Sequence, residues 1–462
     1  MLAHLARMLF CALLYAAGSV ATAKPNVVIL LADDLGWNDV GYHNPDVTTP
    51  NIDEIAKEGL ELDRFYVNPT CSPTRASLMS GMFANSHGVN FPVQWHTEVG
   101  LPLEYKTLPE YFRQAGYTTH LAGKWHLGHH DGYLPNQRGF DSFYGHLMGG
   151  IGYYDHVFSG GLDWQRDGVS LVEEGYSTDL IADEAIRIIS TPSDQPFLLY
   201  VSFNAPHTPI EGPGGKKEGH QGRRTYLEMV THLDESIGKI VSALRRSSLL
   251  ENTVIVFASD NGGLASVGWF LEFMMPPLRD GFGDNTPLRE GKGLVSEGGV
   301  RVPAAIWLPD QIASDKRLMQ PMHIADLLPT LAELVGFEVP AIDGVSQLSN
   351  LLTGEETQRP PFVVSNAGDE ALIEWPWKLI KDAPLPFIPD FLGSVDWYLY
   401  NILEDEGESL DLAASEPERL RRMKQALQRY PHRSVVELDT SKEFDSFGGD
   451  ITRAPWTEIS TE

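Results

Sequence analysis

Residues 26–32 read Asn-Val-Val-Ile-Leu-Leu-Ala, an unbroken apolar run rich in β-branched residues. It lacks the polar–apolar alternation of a strand wet on one face, and suits one buried on both sides in a parallel sheet under helices. Residues 197–203 and 253–258 have the same texture. Apolar residues at three- and four-residue spacing predict helices over 51–58, 76–82, 108–115, 178–190 and 226–244. Strand and helix patterns that alternate predict an α/β fold, with a large mixed, mostly parallel sheet sandwiched by helices.

Past residue 352 the texture shortens. Gly354-Glu355-Glu356 and Arg359-Pro360-Pro361 punctuate the chain, strand-like runs follow at 362–365 and 377–380, and an amphipathic helix is expected over 416–430. The expected division is a catalytic domain over 24–358 and a smaller C-terminal α+β subdomain over 359–462. Residues 1–23 carry Arg7, an apolar run over 8–17 and Ala21-Thr22-Ala23, the pattern of a signal peptide. The run is too short to span a bilayer, and Phe10 directly before Cys11 disfavours a lipoprotein anchor, so export to a periplasmic or extracellular location is expected.

Each strand-like run ends in polar residues: Asp33-Asp34, Asn204 to His207, and Asp260-Asn261. Open α/β sheets bind ligands at the carboxyl ends of their strands, so these segments are expected on one rim. Asp33, Asp34, Asp260 and Asn261 offer only hard oxygen donors, which suits calcium or magnesium and disfavours zinc. Alone, the first pair also suits a helix cap and the second a tight turn.

The formal charge of −28 over 462 residues excludes nucleic acid as a natural partner, because that affinity needs Lys and Arg on phosphates. It repels anionic substrates at low salt. At seawater ionic strength the Debye length shrinks to roughly 4 Å and the repulsion fades, which makes a saline habitat an expectation. Of two cysteines, Cys11 lies in the removable leader, so a mature chain would carry Cys71 without an intrachain disulfide partner, a pattern that points to a reactive or modified thiol.

Cys71-Ser72-Pro73-Thr74-Arg75 has the form C-x-P-x-R. With it, in order, come Asp33-Asp34-Leu35-Gly36, Thr49-Pro50-Asn51-Ile52-Asp53, Gly123-Lys124-Trp125-His126-Leu127-Gly128, Pro206-His207-Thr208-Pro209, Asp260-Asn261-Gly262-Gly263 and Glu297-Gly298-Gly299-Val300-Arg301. Together these segments resemble the formylglycine-dependent sulfatases of the alkaline phosphatase superfamily, in the branch of arylsulfatase B-like and bacterial polysaccharide sulfatases. The resemblance covers most of the chain.

It implies an exported hydrolase of carbohydrate O-sulfate esters, with a 4-O-sulfate on a galactose or N-acetylgalactosamine type unit as the narrower expectation. It implies oxidation of Cys71 to formylglycine by a formylglycine-generating enzyme, and one calcium ion held by Asp33, Asp34, residue 71, Asp260 and Asn261. A hydrated aldehyde at position 71 offers two hydroxyls, one to attack sulfur and one to expel the sulfate afterwards. The same resemblance assigns His126 as the base for the second step, His207 as the acid at the leaving oxygen, Lys124 and Lys292 as sulfate contacts, and Arg75 as the group that holds the diol.

Two departures stand out. Thr74 replaces a Ser common among relatives, and Glu290 precedes Gly291-Lys292 where relatives carry a small residue, with Arg289 as a candidate compensating charge. Candidate sugar-binding side chains are Arg138, Tyr144, His146, Tyr153 and Tyr154 in one stretch, and Trp269, Phe270 and Phe273 in another. A phosphate or phosphonate monoester hydrolase of the same superfamily, and a carbohydrate-binding pseudoenzyme, are the alternative readings.

Overall fold

The computed structural model describes residues 24–215, 222–265, 281–366, 368–383 and 395–436. The apolar runs become Asn26–Ala32, Phe197–Ser202 and Thr253–Ser259, side by side at the centre of a ten-stranded sheet and buried along their whole length. In spatial order the sheet runs Lys316–Leu318, Leu60–Leu62, Ala304–Trp307, Thr253–Ser259, Asn26–Ala32, Phe197–Ser202, Thr118–Lys124, Ser142–His146, Gln165–Arg166 and Val169–Ser170. The five strands from Thr253–Ser259 to Ser142–His146 are parallel, and antiparallel pairs extend both flanks.

Thr118–Lys124 is a central strand that the apolar pattern does not announce. Its sequence, Thr-Thr-His-Leu-Ala-Gly-Lys, opens on three consecutive polar residues and ends on a fourth, and tertiary bonds satisfy Thr119 and His120. Thr119 is bonded to Asp141 and Gly139, and the His120 ring reaches Ser142 Oγ at 2.7 Å.

Helices cover both faces, as the parallel sheet requires. Ser177–Ser190 and Gly222–Arg246 pack on one face with Pro50–Glu58, while Cys71–Ser80, Leu108–Gln114 and Leu327–Val335 pack on the other. The helix expected over 76–82 instead begins at Cys71 and stops at Ser80. Gly81 closes it in the left-handed conformation at φ 68° and donates its N–H to Ser77. Pro73 falls in the first turn, where a missing N–H costs nothing, so the motif itself forms the N-terminus.

Thr49 makes no capping bond to its own helix. Asp234, from the long helix, supplies the cap, accepting from Asn51 N and Ile52 N at 2.9 and 2.8 Å while Asn51 Nδ2 donates to its other oxygen at 2.7 Å. Thr49 instead donates to Asp53, so the Thr49 to Asp53 segment is a structural joint.

The C-terminal strands Phe362–Asn366, Asp369–Glu374, Trp377–Asp382 and Asp396–Asn401 form one antiparallel sheet with the helix Pro417–Leu427. Asp369–Glu374 and Asp396–Asn401 are strands beyond the two expected. Alternation of period two explains the packing: Val363, Leu372, Leu379 and Leu399 face Met423 and Leu427 of the helix, while Val364, Ala371, Ile373 and Ile380 face Tyr66, Phe83, Val300 and Ala325 of the larger unit. Among the described residues, no helix is long and apolar enough to cross a membrane.

The helix bearing Cys71 is braced from behind by His87, which is fully buried. Its Nδ1 accepts from Val89 N at 3.0 Å, so Nε2 carries the proton and lies 3.2 Å from Ser77 Oγ. Burial pushes this imidazole down from 6.5 to about 3. The folded state therefore binds fewer protons than the unfolded chain between those values, and the stability His87 contributes, full above pH 6.5, is lost as pH falls toward 3. Urea unfolding at pH 7 and pH 5 should show a His87 share of about 2 kcal/mol in the loss of stability, a share that His87→Gln removes.

Candidate active site

The sheet's register assembles the site. Ala32 pairs with Ser259 in neighbouring parallel strands, so Asp33 and Asp260 leave the sheet side by side. Asp260 N donates to Ala32 O and Asp33 N to Ala205 O, each at 3.0 Å, which ties three strand ends together. Asp34 adopts φ 68° and turns its carboxylate back over the rim. Two strands away Lys124 ends Thr118–Lys124, and His126 follows at φ 58°.

These residues converge. Arg75, fully buried, donates from Nε and Nη2 to Asp260 Oδ2 at 3.0 and 2.7 Å, and from Nη1 to Lys124 O at 3.2 Å, Tyr200 Oη and Ser202 Oγ. Lys124 Nζ donates to Asp33 Oδ2 at 2.7 Å, and Lys292 Nζ to both oxygens of Asp34 at 2.6 and 2.8 Å. Asn261 Nδ2 donates to Asp34 Oδ1 at 2.7 Å, and His207 Nε2 lies 3.7 Å from Asp34 Oδ2. Eight of the ten residues expected from the sequence thus lie in one cluster, and Cys71 with His126 completes it.

Cys71 is buried, with Sγ 3.2 Å from His126 Nδ1. His126 Nε2 lies 3.2 Å from Val93 O, and a carbonyl only accepts, so Nε2 carries the proton and the Nδ1 lone pair faces residue 71. Burial, then the charges of Lys124 and Arg75, hold His126 well below the usual imidazole range. Burial also pushes the Cys71 thiol up. By the same logic His207 Nδ1, 2.6 Å from Thr208 O, bears a proton and leaves Nε2 toward the site. Burial and Lys292 push His207 down to about 3.

Burial and the adjacent Asp260 charge push Asp33 up to about 8, against the pull of Lys124. Burial opposes ionisation of Asp34 too, but Lys292 and His207 outweigh it and hold that carboxyl below the usual range. The donor set fits a hard divalent cation. Asp33 Oδ1 and Asn261 Oδ1 are buried and accept no hydrogen bond, and Asp33, Asp34 and His207 bring potential ligand atoms within 4.8 Å of one another. A cation there would favour ionised Asp33.

Neighbouring side chains hold these residues in place. Ser72 Oγ donates to His126 O at 2.8 Å and accepts from Val93 N, tying the Cys71 helix to the histidine. Thr74 Oγ1 accepts from Asn68 N and donates to Asn68 O, so the Ser-to-Thr departure keeps the hydroxyl that closes this turn. Arg289 does reach Glu290, at 3.3 Å, and also Glu408 at 3.3 Å, while Lys292 holds Asp34 two residues on.

Arg138, Tyr144, His146 and Tyr153 do not present themselves to a sugar. All four are buried. Arg138 donates to Leu101 O and Tyr105 O, Tyr144 to Glu173, and Tyr153 to Asn204 O and His207 O, because their polar ends answer to buried backbone and carboxylate. Tyr154 is half-buried against Gly212 O. Trp269, Phe270 and Phe273 lie outside the described residues.

The Sulfatase family model matches residues 25–337. Mouse arylsulfatase J is 34% identical over 334 residues, covering 69% of this chain and 54% of the mouse enzyme, so the chain spans about half the length of that relative. Rat N-acetylgalactosamine-6-sulfatase is 35% identical over 376 residues, covering 76% of this chain and 69% of the rat protein. The crystal structure of Ps i-CgsB in complex with k-i-k-neocarrahexaose aligns with TM-score 0.78 and 30% identity over 94% of this chain and 99% of that one. With that match over most of its length, the chain belongs to the sulfatase family of the alkaline phosphatase superfamily.

Proposed function

We propose that this chain is an exported sulfatase that hydrolyses O-sulfate esters of a carbohydrate, with residue 71 as nucleophile. The observation that carries the reading is the buried Cys71 Sγ 3.2 Å from the unprotonated Nδ1 of His126, inside a shell of three carboxylates and three fixed cations. Similarity to N-acetylgalactosamine-6-sulfatase and to a structure that binds a neocarrahexaose supports a sugar sulfate.

Formylglycine at position 71, once hydrated, supplies the attacking hydroxyl. Asp33, Asp34, residue 71, Asp260 and Asn261 would hold a calcium ion, which when bound would supply Lewis-acid polarisation of the sulfate oxygens. The chain's own residues do the rest. His126 Nδ1 takes a proton from the side chain of residue 71, and burial with the charges of Lys124 and Arg75 keeps that ring neutral in the ligand-free site, its lone pair free to accept. Lys124 and Lys292 neutralise the sulfate's non-bridging oxygens. Arg75, fixed by five bonds, offsets the Asp260 charge and holds the nucleophile's helix to the rim.

His207 is the acid at the leaving oxygen. That role needs a second proton, which the ligand-free site disfavours at about 3. A bound sulfate ester brings negative charge beside Nε2 and raises the affinity for that proton.

Enzyme produced with a formylglycine-generating enzyme should release sulfate from sulfated oligosaccharides, measured by ion chromatography, and Cys71→Ala should lower kcat by at least about a thousandfold while oligosaccharide binding persists. Chelation should abolish turnover, and calcium should restore it. Turnover that survives exhaustive chelation contradicts the metal assignment. The narrower proposal, a 4-O-sulfate on a galactose or N-acetylgalactosamine type ring, predicts faster release from 4-O- than from 6-O-sulfated rings. Release only from phosphate or phosphonate esters would favour the alternative hydrolase.

A further inference from the structure

Immediately past Ser142–His146 the chain passes through Leu147-Met148-Gly149-Gly150, directly against the two histidines to which proton transfer is assigned. A Cβ built on Gly149 would lie 2.6 Å from His126 Cε1, 2.9 Å from Nε2 and 3.2 Å from Nδ1. One built on Gly150 would lie 3.1 Å from both His207 Cε1 and Nδ1. Neither glycine has a positive φ, so backbone conformation does not demand glycine at either position. What demands it is close approach: each imidazole lies on bare main chain.

Neither side of these contacts can give way easily. Asp163, fully buried, accepts from Leu147 N at 2.9 Å and Met148 N at 2.8 Å, and Leu147 O accepts from His126 N at 3.0 Å, so the segment is held from both sides. The His126 ring is pinned at both nitrogens, by Val93 O and Cys71 Sγ. His207 is fixed through Nδ1 to Thr208 O, and its own carbonyl accepts from Tyr153 Oη at 2.9 Å, from the same segment three residues on.

We propose that Gly149 and Gly150 are positioning residues of the reaction, a main-chain platform held by Asp163 that sets the ring of His126 through the first glycine and the ring of His207 through the second. The proposal rests on the sulfatase reading for the roles of the two histidines, but the contacts themselves do not depend on it. The Gly149 contact is the tighter, so its substitution acts more strongly.

The test compares Gly149→Ala and Gly150→Ala with wild type, each confirmed folded by thermal melting, on a sugar sulfate and on an aryl sulfate whose phenolate leaves without much help from an acid. Gly149→Ala should lower kcat on both substrates by on the order of a hundredfold with KM little changed. Gly150→Ala should lower kcat about tenfold on the sugar sulfate and much less on the aryl sulfate, because only the sugar oxygen needs the proton of His207. Equal losses on both substrates for Gly150→Ala, or unchanged kcat for Gly149→Ala, would overturn the proposal. Crystal structures of the two variants separate this claim from the sulfatase reading. Displacement of the His126 ring in the first and of the His207 ring in the second supports the platform whatever the substrate proves to be, and rings left in place contradict it.

Discussion

Three carboxylates, those of Asp33, Asp34 and Asp260, are buried within hydrogen-bonding reach of one another's chain segments at the end of two neighbouring parallel strands. Like charges taken out of water in such a cluster are costly unless opposite charges are fixed beside them. Arg75 and Lys292 meet that requirement on Asp260 and Asp34, while Lys124 offsets Asp33 in part, the Asp33 carboxyl still being pushed up to about 8. The central sheet, the helix that carries Cys71 and the loop that carries Lys292 are therefore joined through this balance. Removal of one partner would leave an uncompensated charge in the interior.

The C-terminal sheet takes part in the same arrangement. Asn366 Nδ2 donates to Gly293 O at 2.7 Å, next to Lys292. Lys378, buried, lies 2.9 Å from both Glu297 and Glu408, and Glu408 accepts from Glu297 N at 2.9 Å. Glu297 also accepts from Tyr66, and Arg301 reaches Asp63 at 2.9 Å. The Glu297 to Arg301 segment is thus a joint between the two sheets rather than part of the reacting centre. Gly298 N donates to Arg289 O at 2.8 Å, and Arg289 reaches Glu408, so the two ends of the Lys292 loop are held together.

The central strands were legible because burial on both faces forces long apolar runs, and the candidate side chains were legible because they sit in short motifs that the structure brings together. Thr118–Lys124 was not legible, since its buried polar groups are satisfied by partners such as Asp141 and Ser142 that no local pattern reveals. The early start of the Cys71 helix was hidden for a related reason. Prolines usually signal a turn, and only the tertiary setting shows that Pro73 occupies a first helical turn. The aromatic stretch misled in the opposite direction, because Tyr144 and Tyr153 look like sugar platforms yet spend their hydroxyls on Glu173 and on the His207 carbonyl. Gly149 and Gly150 have no motif, and their meaning lies wholly in what a Cβ would touch.

The proposed reaction turns on residue 71, set against His126, once it has been matured. The most direct measurement is the mass of the peptide spanning residue 71, taken from enzyme co-expressed with a formylglycine-generating enzyme, with sulfate release assayed on the same sample. The expected result is the mass loss of thiol-to-aldehyde conversion, with sulfate release that scales with the converted fraction across preparations. Sulfate release from protein whose residue 71 is wholly thiol, or full conversion with no release from any sulfate ester, would contradict it.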